Sequence, residues 1–153
     1  MGPITSEVKD FVNRVKLGFV ATVSPDGTPN LSPKGTTIAW DDHQLVFADI
    51  HSPGTVRNLR SNPSIEINVV DIFTRKGFRF KGIAIVHSDG EFFDAVIAHY
   101  RSAGSLHEIQ HIVSVRVDQL IEIWSPAYDK NLTEREVKNR WIEYWDNMNS
   151  TRK

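Results

Sequence analysis

The chain has 153 residues, 40% of them apolar and 24% charged, and its 18 Lys and Arg against 19 Asp and Glu leave a net charge of −1. A chain of this length folds as one domain that buries roughly 70% of the surface its unfolded form exposes, and its charge balance lacks the basic excess that drives sequence-independent binding to nucleic acid. The absence of cysteine excludes disulfides, thiolate-bound zinc, iron–sulfur clusters and cysteine nucleophiles together; no apolar run reaches the roughly 18–20 residues of a membrane span; and the N-terminus MGPITSEVKDF lacks an apolar signal core, so a cytoplasmic location is expected.

Residues 1–153 read as a single domain that opens with an amphipathic helix. Ile4, Val8, Phe11, Val12 and Val15 recur at the spacing of one helical face, with Thr5 or Ser6 as N-cap and Gly18 as the stop. Phe19 to Val23 then reads as a strand ended by the turn Ser24-Pro25-Asp26-Gly27-Thr28, and a return strand is expected from about Asn30 to Trp40. After Asp41-Asp42-His43 the run Gln44 to Asp49 is a third strand. Ser52-Pro53-Gly54 leads into a short helix over Thr55 to Arg60, with Thr55 as expected N-cap and Asn62-Pro63 as the stop.

Alternation of Ile65, Ile67 and Val69 marks a further strand, and Phe78, Phe80, Ala84 and Val86 mark another that runs from Gly77 to His87. A second clear helix carries Phe93, Val96, Ile97 and Tyr100 on one face, with Asp89 as expected cap and Gly104 as its end. The long strand that follows holds Val113, Val115 and Val117 and continues to Trp124. Thr133-Glu134-Arg135-Glu136 is a capping box for a last helix, at about 133–149, with Val137, Trp141, Trp145 and Met148 on one stripe. About six short strands, paired in sequence, point to an α+β fold whose antiparallel sheet curls into a small barrel.

Among residues that could carry chemistry, His107-Glu108-Ile109-Gln110-His111 matches the zinc string H-E-x-x-H. That string functions on a helix, whereas here Gly104-Ser105 ends one and Ile112-Val113-Ser114-Val115 begins strand alternation, so a polar helix-to-strand loop is the reading and no metal is expected. Ser52 to Asn58 offers hydroxyls and free N–H groups at a helix N-terminus, with Arg57 in its first turn. The segment suits either a phosphate or a plain helix start. In Asn30-Leu31-Ser32-Pro33-Lys34-Gly35 the lysine is a candidate phosphate partner, while Pro and Gly equally mark a sheet edge or bulge. Lys81 shares a strand face with Arg79, opposite Phe78 and Phe80, as a phosphate cation or a solvated strand end. Trp124 and Tyr128 stand where the long strand ends and could stack on a flat ligand or pack in core or interface. No nucleophile elbow, Walker loop or Rossmann glycine pattern is found.

Taken in order, these segments resemble the pyridoxamine 5'-phosphate oxidase-like family of FMN-binding split barrels. The likeness rests on the Ser24–Pro29 hairpin, the Ser32-Pro33-Lys34-Gly35 strand, Leu45 to Asp49, the loop and helix from Ser52 to Asn62-Pro63, Gly77-Phe78-Arg79-Phe80-Lys81-Gly82, and Ile123-Trp124. The resemblance implies a six-stranded antiparallel split β-barrel and a homodimer with FMN in each interface cleft. It places Asn30, Leu31 and Ser32 along the flavin, Ala48 and Asp49 beside the ring or ribityl chain, and Ser52 and Thr55 at the phosphate. Lys34, Arg57 and Lys81 become candidate phosphate cations, and Trp124 stands where the oxidases have a tryptophan that reaches the partner subunit's flavin. No catalytic side chain is expected, since the flavin supplies the redox chemistry. Gly54-Thr55 replaces the oxidases' arginine–lysine pair, and Ser125 to Asp129 replaces their R-L-H-x-R substrate signature, which argues against pyridoxamine phosphate. The expectation is a flavin-dependent oxidoreductase acting on a small molecule. The alternatives are an FMN carrier or electron-transfer protein and a relative that uses the deazaflavin F420; haem-degrading relatives share the barrel too.

Overall fold

A computed structural model describes residues 1–152. Helix α1 spans Ser6–Val15, α2 Pro53–Ser61, α3 Glu91–Ser102 and α4 Glu134–Ser150. The strands are β1 Gly18–Val23, β2 Pro29–Lys34, β3 Ile38–Ala39, β4 Gln44–Asp49, β5 Ser64–Val70, β6 Lys76–His87 and β7 His111–Trp124. They form one curled sheet in the order β2-β1-β5-β6-β7-β4-β3, every pairing antiparallel. The fold is thus α+β with a half-barrel of antiparallel strands.

The strand count rises from six to seven because the expected Asn30–Trp40 strand is broken. At Gly35 to Thr37 the backbone N–H and the hydroxyl of Thr37 both turn back to the Lys34 carbonyl, at 3.4 and 2.9 Å. β2 therefore stays on β1 while β3 pairs with β4 at the opposite edge, which splits the barrel. Two caps also differ from expectation. Ser52 heads α2, because Pro53 has a preset φ and no N–H to lose at the first helical position. Gly90, with φ 96°, heads α3 in place of Asp89. Thr5 caps α1, and Thr133 and Glu136 close the expected capping box.

The barrel interior holds Val20, Leu45, Phe47, Ile67, Phe80, Val113 and Val115, with α1 sealing it through Val8 and Val12. On the outer side of β4, Val46 and Ala48 pack with Ile112 against Val96 and Tyr100 of α3. Covered on both faces, β4 is apolar at every position from Leu45 to Ala48 instead of alternating. β6 is bulged between Lys81 and Gly82. A Cβ at Gly82 would run into the Arg116 carbonyl, so only glycine lets β6 and β7 approach there. α4 is the loosest element, with Val137 its one buried side chain among the described residues. Glu134 bonds Lys76 at 2.7 Å and the Arg75 guanidinium stacks on Trp141 at 3.5 Å. No helix is long and apolar enough to cross a membrane.

Candidate functional site

Strand alternation on β2 puts Asn30, Ser32 and Lys34 on the face that carries Thr22, Val20 and Gly18 across the ladder. Beyond this face stands the head of α2. The Lys34 ammonium donates to the hydroxyls of Ser32, at 2.7 Å, and Ser52. Lys34 is only 5% exposed, and burial pushes its pKa below the ordinary lysine range while the nearby Asp49 carboxylate pulls it back up. Asp49 is buried too, and its two oxygens accept from the Ser52 N–H and from His111 Nδ1, each at 2.8 Å.

The N-terminus of α2 is open. Ser52 makes no side-chain cap, Pro53 has no N–H, and the N–H groups of Gly54 and Thr55 have no partner among the described residues. A Cβ built on Gly54 would meet nothing within 4 Å. Thr55 is buried, and its hydroxyl has no hydrogen-bond partner among the described residues. Arg57 is exposed one turn further on and forms no ion pair among them. Hydroxyls, unengaged N–H groups, the positive end of a helix and a buried ammonium together make a cradle for an anion, where charge-assisted bonds are the strong kind. Asn58, which sequence reasoning missed, aims that cradle. It is buried, and its amide donates to Thr22 on β1 at 3.1 Å, tying α2 to the sheet. Its signal was a second polar residue, three after Thr55, on a helix face that otherwise carries Val56 and Leu59.

Asn30, Ser32, Lys34, Asp49, Ser52, Thr55 and Arg57 are thus brought to one end of the barrel; Leu31, Ala48, Lys81 and Trp124 are placed apart. Leu31 points to the outer sheet face at 67% exposure, in a register row with Ala21, Glu66 and Lys81. Lys81 is held there by Glu66, which takes Lys81 at 3.4 Å and Arg79 at 3.0 Å. Ala48 faces α3, and its N–H donates to the Thr36 hydroxyl at 2.9 Å. Trp124 ends β7, thirteen residues beyond His111, on the order of 40 Å along an extended strand. It walls a separate cavity of about 490 Å³ with Phe11, Phe78 and Tyr128. The H-E-x-x-H string is not helical: residues 105–110 form a loop and His111 starts β7. No three metal-ligating side chains converge among the described residues.

The family model for pyridoxamine 5'-phosphate oxidase matches residues 4–123. The chain belongs to the pyridoxamine 5'-phosphate oxidase family. Among solved structures, HupZ of group A Streptococcus is 30% identical, with 80% of this chain and 95% of that chain covered and a TM-score of 0.71. An FMN-binding protein from Syntrophomonas wolfei shares the fold at 13% identity, 80% and 87% coverage and a TM-score of 0.67. HutZ, the heme storage protein of Vibrio cholerae, shares it at 22% identity, 82% and 98% coverage and a TM-score of 0.63. No curated protein matches the chain significantly. The oxidase-family match ends one residue short of Trp124 and leaves α4 outside it.

Proposed function

We propose that this member of the oxidase family is an FMN-binding flavoprotein that acts as a flavin-dependent oxidoreductase on a small molecule other than pyridoxamine phosphate. The observation that carries this reading is the buried Lys34 ammonium on Ser52, beside the open N-terminus of α2. A phosphate monoester fits it: Ser52 and Thr55 offer hydroxyls, Gly54 and Thr55 offer N–H groups, and Lys34 and Arg57 offer charge. Asn30 and Ser32, on the same face of β2, would line the rest of the ligand. Bound FMN supplies the hydride and electron transfer. The chain binds, orients and neutralises the phosphate, and no side chain is required as nucleophile or base.

The separation of Trp124 from the cradle supports a site built from two copies. Along one chain these parts lie at opposite ends of β7, so a homodimer would bring the Trp124 cavity of one copy to the cradle of the other. Ser125 to Asp129, in place of the oxidases' substrate signature, supports a different substrate.

The test is a visible absorption spectrum of the purified protein, followed by release and chromatography of any coloured cofactor. Stoichiometric FMN that is bleached by reduced nicotinamide and reoxidised by an acceptor supports the flavoenzyme; FMN inert to every donor supports a carrier. Haem or F420 in place of FMN, or a colourless protein that does not take up added FMN, overturns the reading.

A further inference from the structure

The second histidine of the H-E-x-x-H string has both ring nitrogens engaged. The Arg60 guanidinium of α2 lies 3.3 Å from His111 Nε2. A guanidinium only donates, so Nε2 accepts and the ring proton sits on Nδ1. That N–H donates to Asp49 Oδ2 at 2.8 Å, while Asp49 Oδ1 takes the Ser52 N–H at 2.8 Å. Ser52 in turn receives the Lys34 ammonium. One line of polar contacts therefore runs from solvent-facing Arg60, through His111 and Asp49, to the hydroxyl and cation of the cradle.

Asp49 is 2% exposed, and a buried carboxylate needs a donor at each oxygen. Without His111, the buried Lys34 ammonium, whose attraction to Asp49 is already felt, can turn from the serine hydroxyls to Oδ2. A direct Lys34–Asp49 pair would withdraw the ammonium from Ser52 and from any anion in the cradle. We infer that His111 is a positioning residue for the cradle: by occupying one oxygen of Asp49 it keeps that carboxylate from closing on Lys34, so that the ammonium and the Ser52 hydroxyl serve the ligand. This role rests on reading the cradle as the phosphate site of FMN.

The experiment compares the dissociation constants of FMN and riboflavin, two flavins that differ by the phosphate, for wild type, His111→Ala and His111→Asn, with thermal unfolding of each. His111→Ala is expected to weaken FMN roughly tenfold and to leave riboflavin unchanged. His111→Asn, whose amide N–H can take the place of Nδ1–H, restores the FMN preference. In an Asp49→Asn background, where no ion pair can close, His111→Ala adds no further loss of preference. Equal losses for both flavins, an asparagine variant as weak as the alanine one, or an unchanged ratio overturns the positioning role. A wild type with no preference for FMN over riboflavin overturns the phosphate reading itself, and this role with it.

Discussion

Lys34 on β2 and Ser52 at the head of α2, eighteen residues apart, meet in a hydrogen bond that joins the sheet to the start of a helix. Lys34→Met keeps the length of the side chain and removes its charge. FMN binding is expected to weaken at least roughly tenfold with riboflavin little changed, while the melting temperature holds or rises because a buried charge has been replaced by an apolar chain. A lower melting temperature with equal loss of both flavins would make Lys34 a structural residue.

The same group sets a pH dependence. Burial holds Lys34 below the ordinary lysine value of 10.5, so on alkalinisation it loses its proton before an ordinary lysine does. FMN affinity should therefore start to fall below the ordinary lysine range. Its contribution to stability moves the other way: between the folded and unfolded pKa values the unfolded chain holds more protons, so stability from this group rises with pH through that window. Titrating wild type against Lys34→Met isolates both trends; identical profiles reject the assignment.

Thr55→Val keeps the buried volume and deletes a hydroxyl that has no partner among the described residues. The free protein should be as stable or slightly more so, while FMN binding weakens by about 1–3 kcal/mol. Calorimetric titration with FMN decides the point, and an unchanged constant removes Thr55 from the phosphate site.

Lys81 is held by Glu66 on the outer face of the sheet, three strands over from β2 and opposite in direction to Lys34. Lys81→Ala should leave the ratio of FMN to riboflavin affinity where it was. A selective loss of FMN would move the phosphate to that outer face.

Gly82→Ala forces a methyl group against the Arg116 carbonyl at the bulge. A loss of about 1–3 kcal/mol is expected, equivalent to a fall in melting temperature of about 2–4 °C per kcal/mol. A melting temperature equal to wild type would show that β6 and β7 can part there at no cost.

Most of the fold was legible because periodicity marks which face is buried: Val8 and Val12 of α1, the alternation of β5, and the capping box of α4 all lie as the pattern predicts. The break after Lys34 was not, since a turn that captures one carbonyl leaves no periodic trace in Gly35-Thr36-Thr37. Caps were misplaced where two residues within one turn both suit the role, as at Ser52 and Thr55. At the site, the hydroxyls and Lys34 could be read locally. The contacts of Asp49 with His111 and of Asn58 with Thr22 span 62 and 36 residues, and no local pattern carries them.

A helix anchored as α4 is, by one buried valine, one ion pair and one stacked guanidinium, has two fates along its length. Its first turns are pinned to β6, while its later turns, with Tyr144 and Met148 exposed, are free to fray and exchange their amide hydrogens without disturbing the sheet. Hydrogen exchange is therefore expected in two tiers, an outer one that opens often and an inner one that opens only with the whole barrel. Substitutions in the outer tier are expected to leave the folding of the inner one untouched, so the end of this helix is where the chain tolerates change most cheaply.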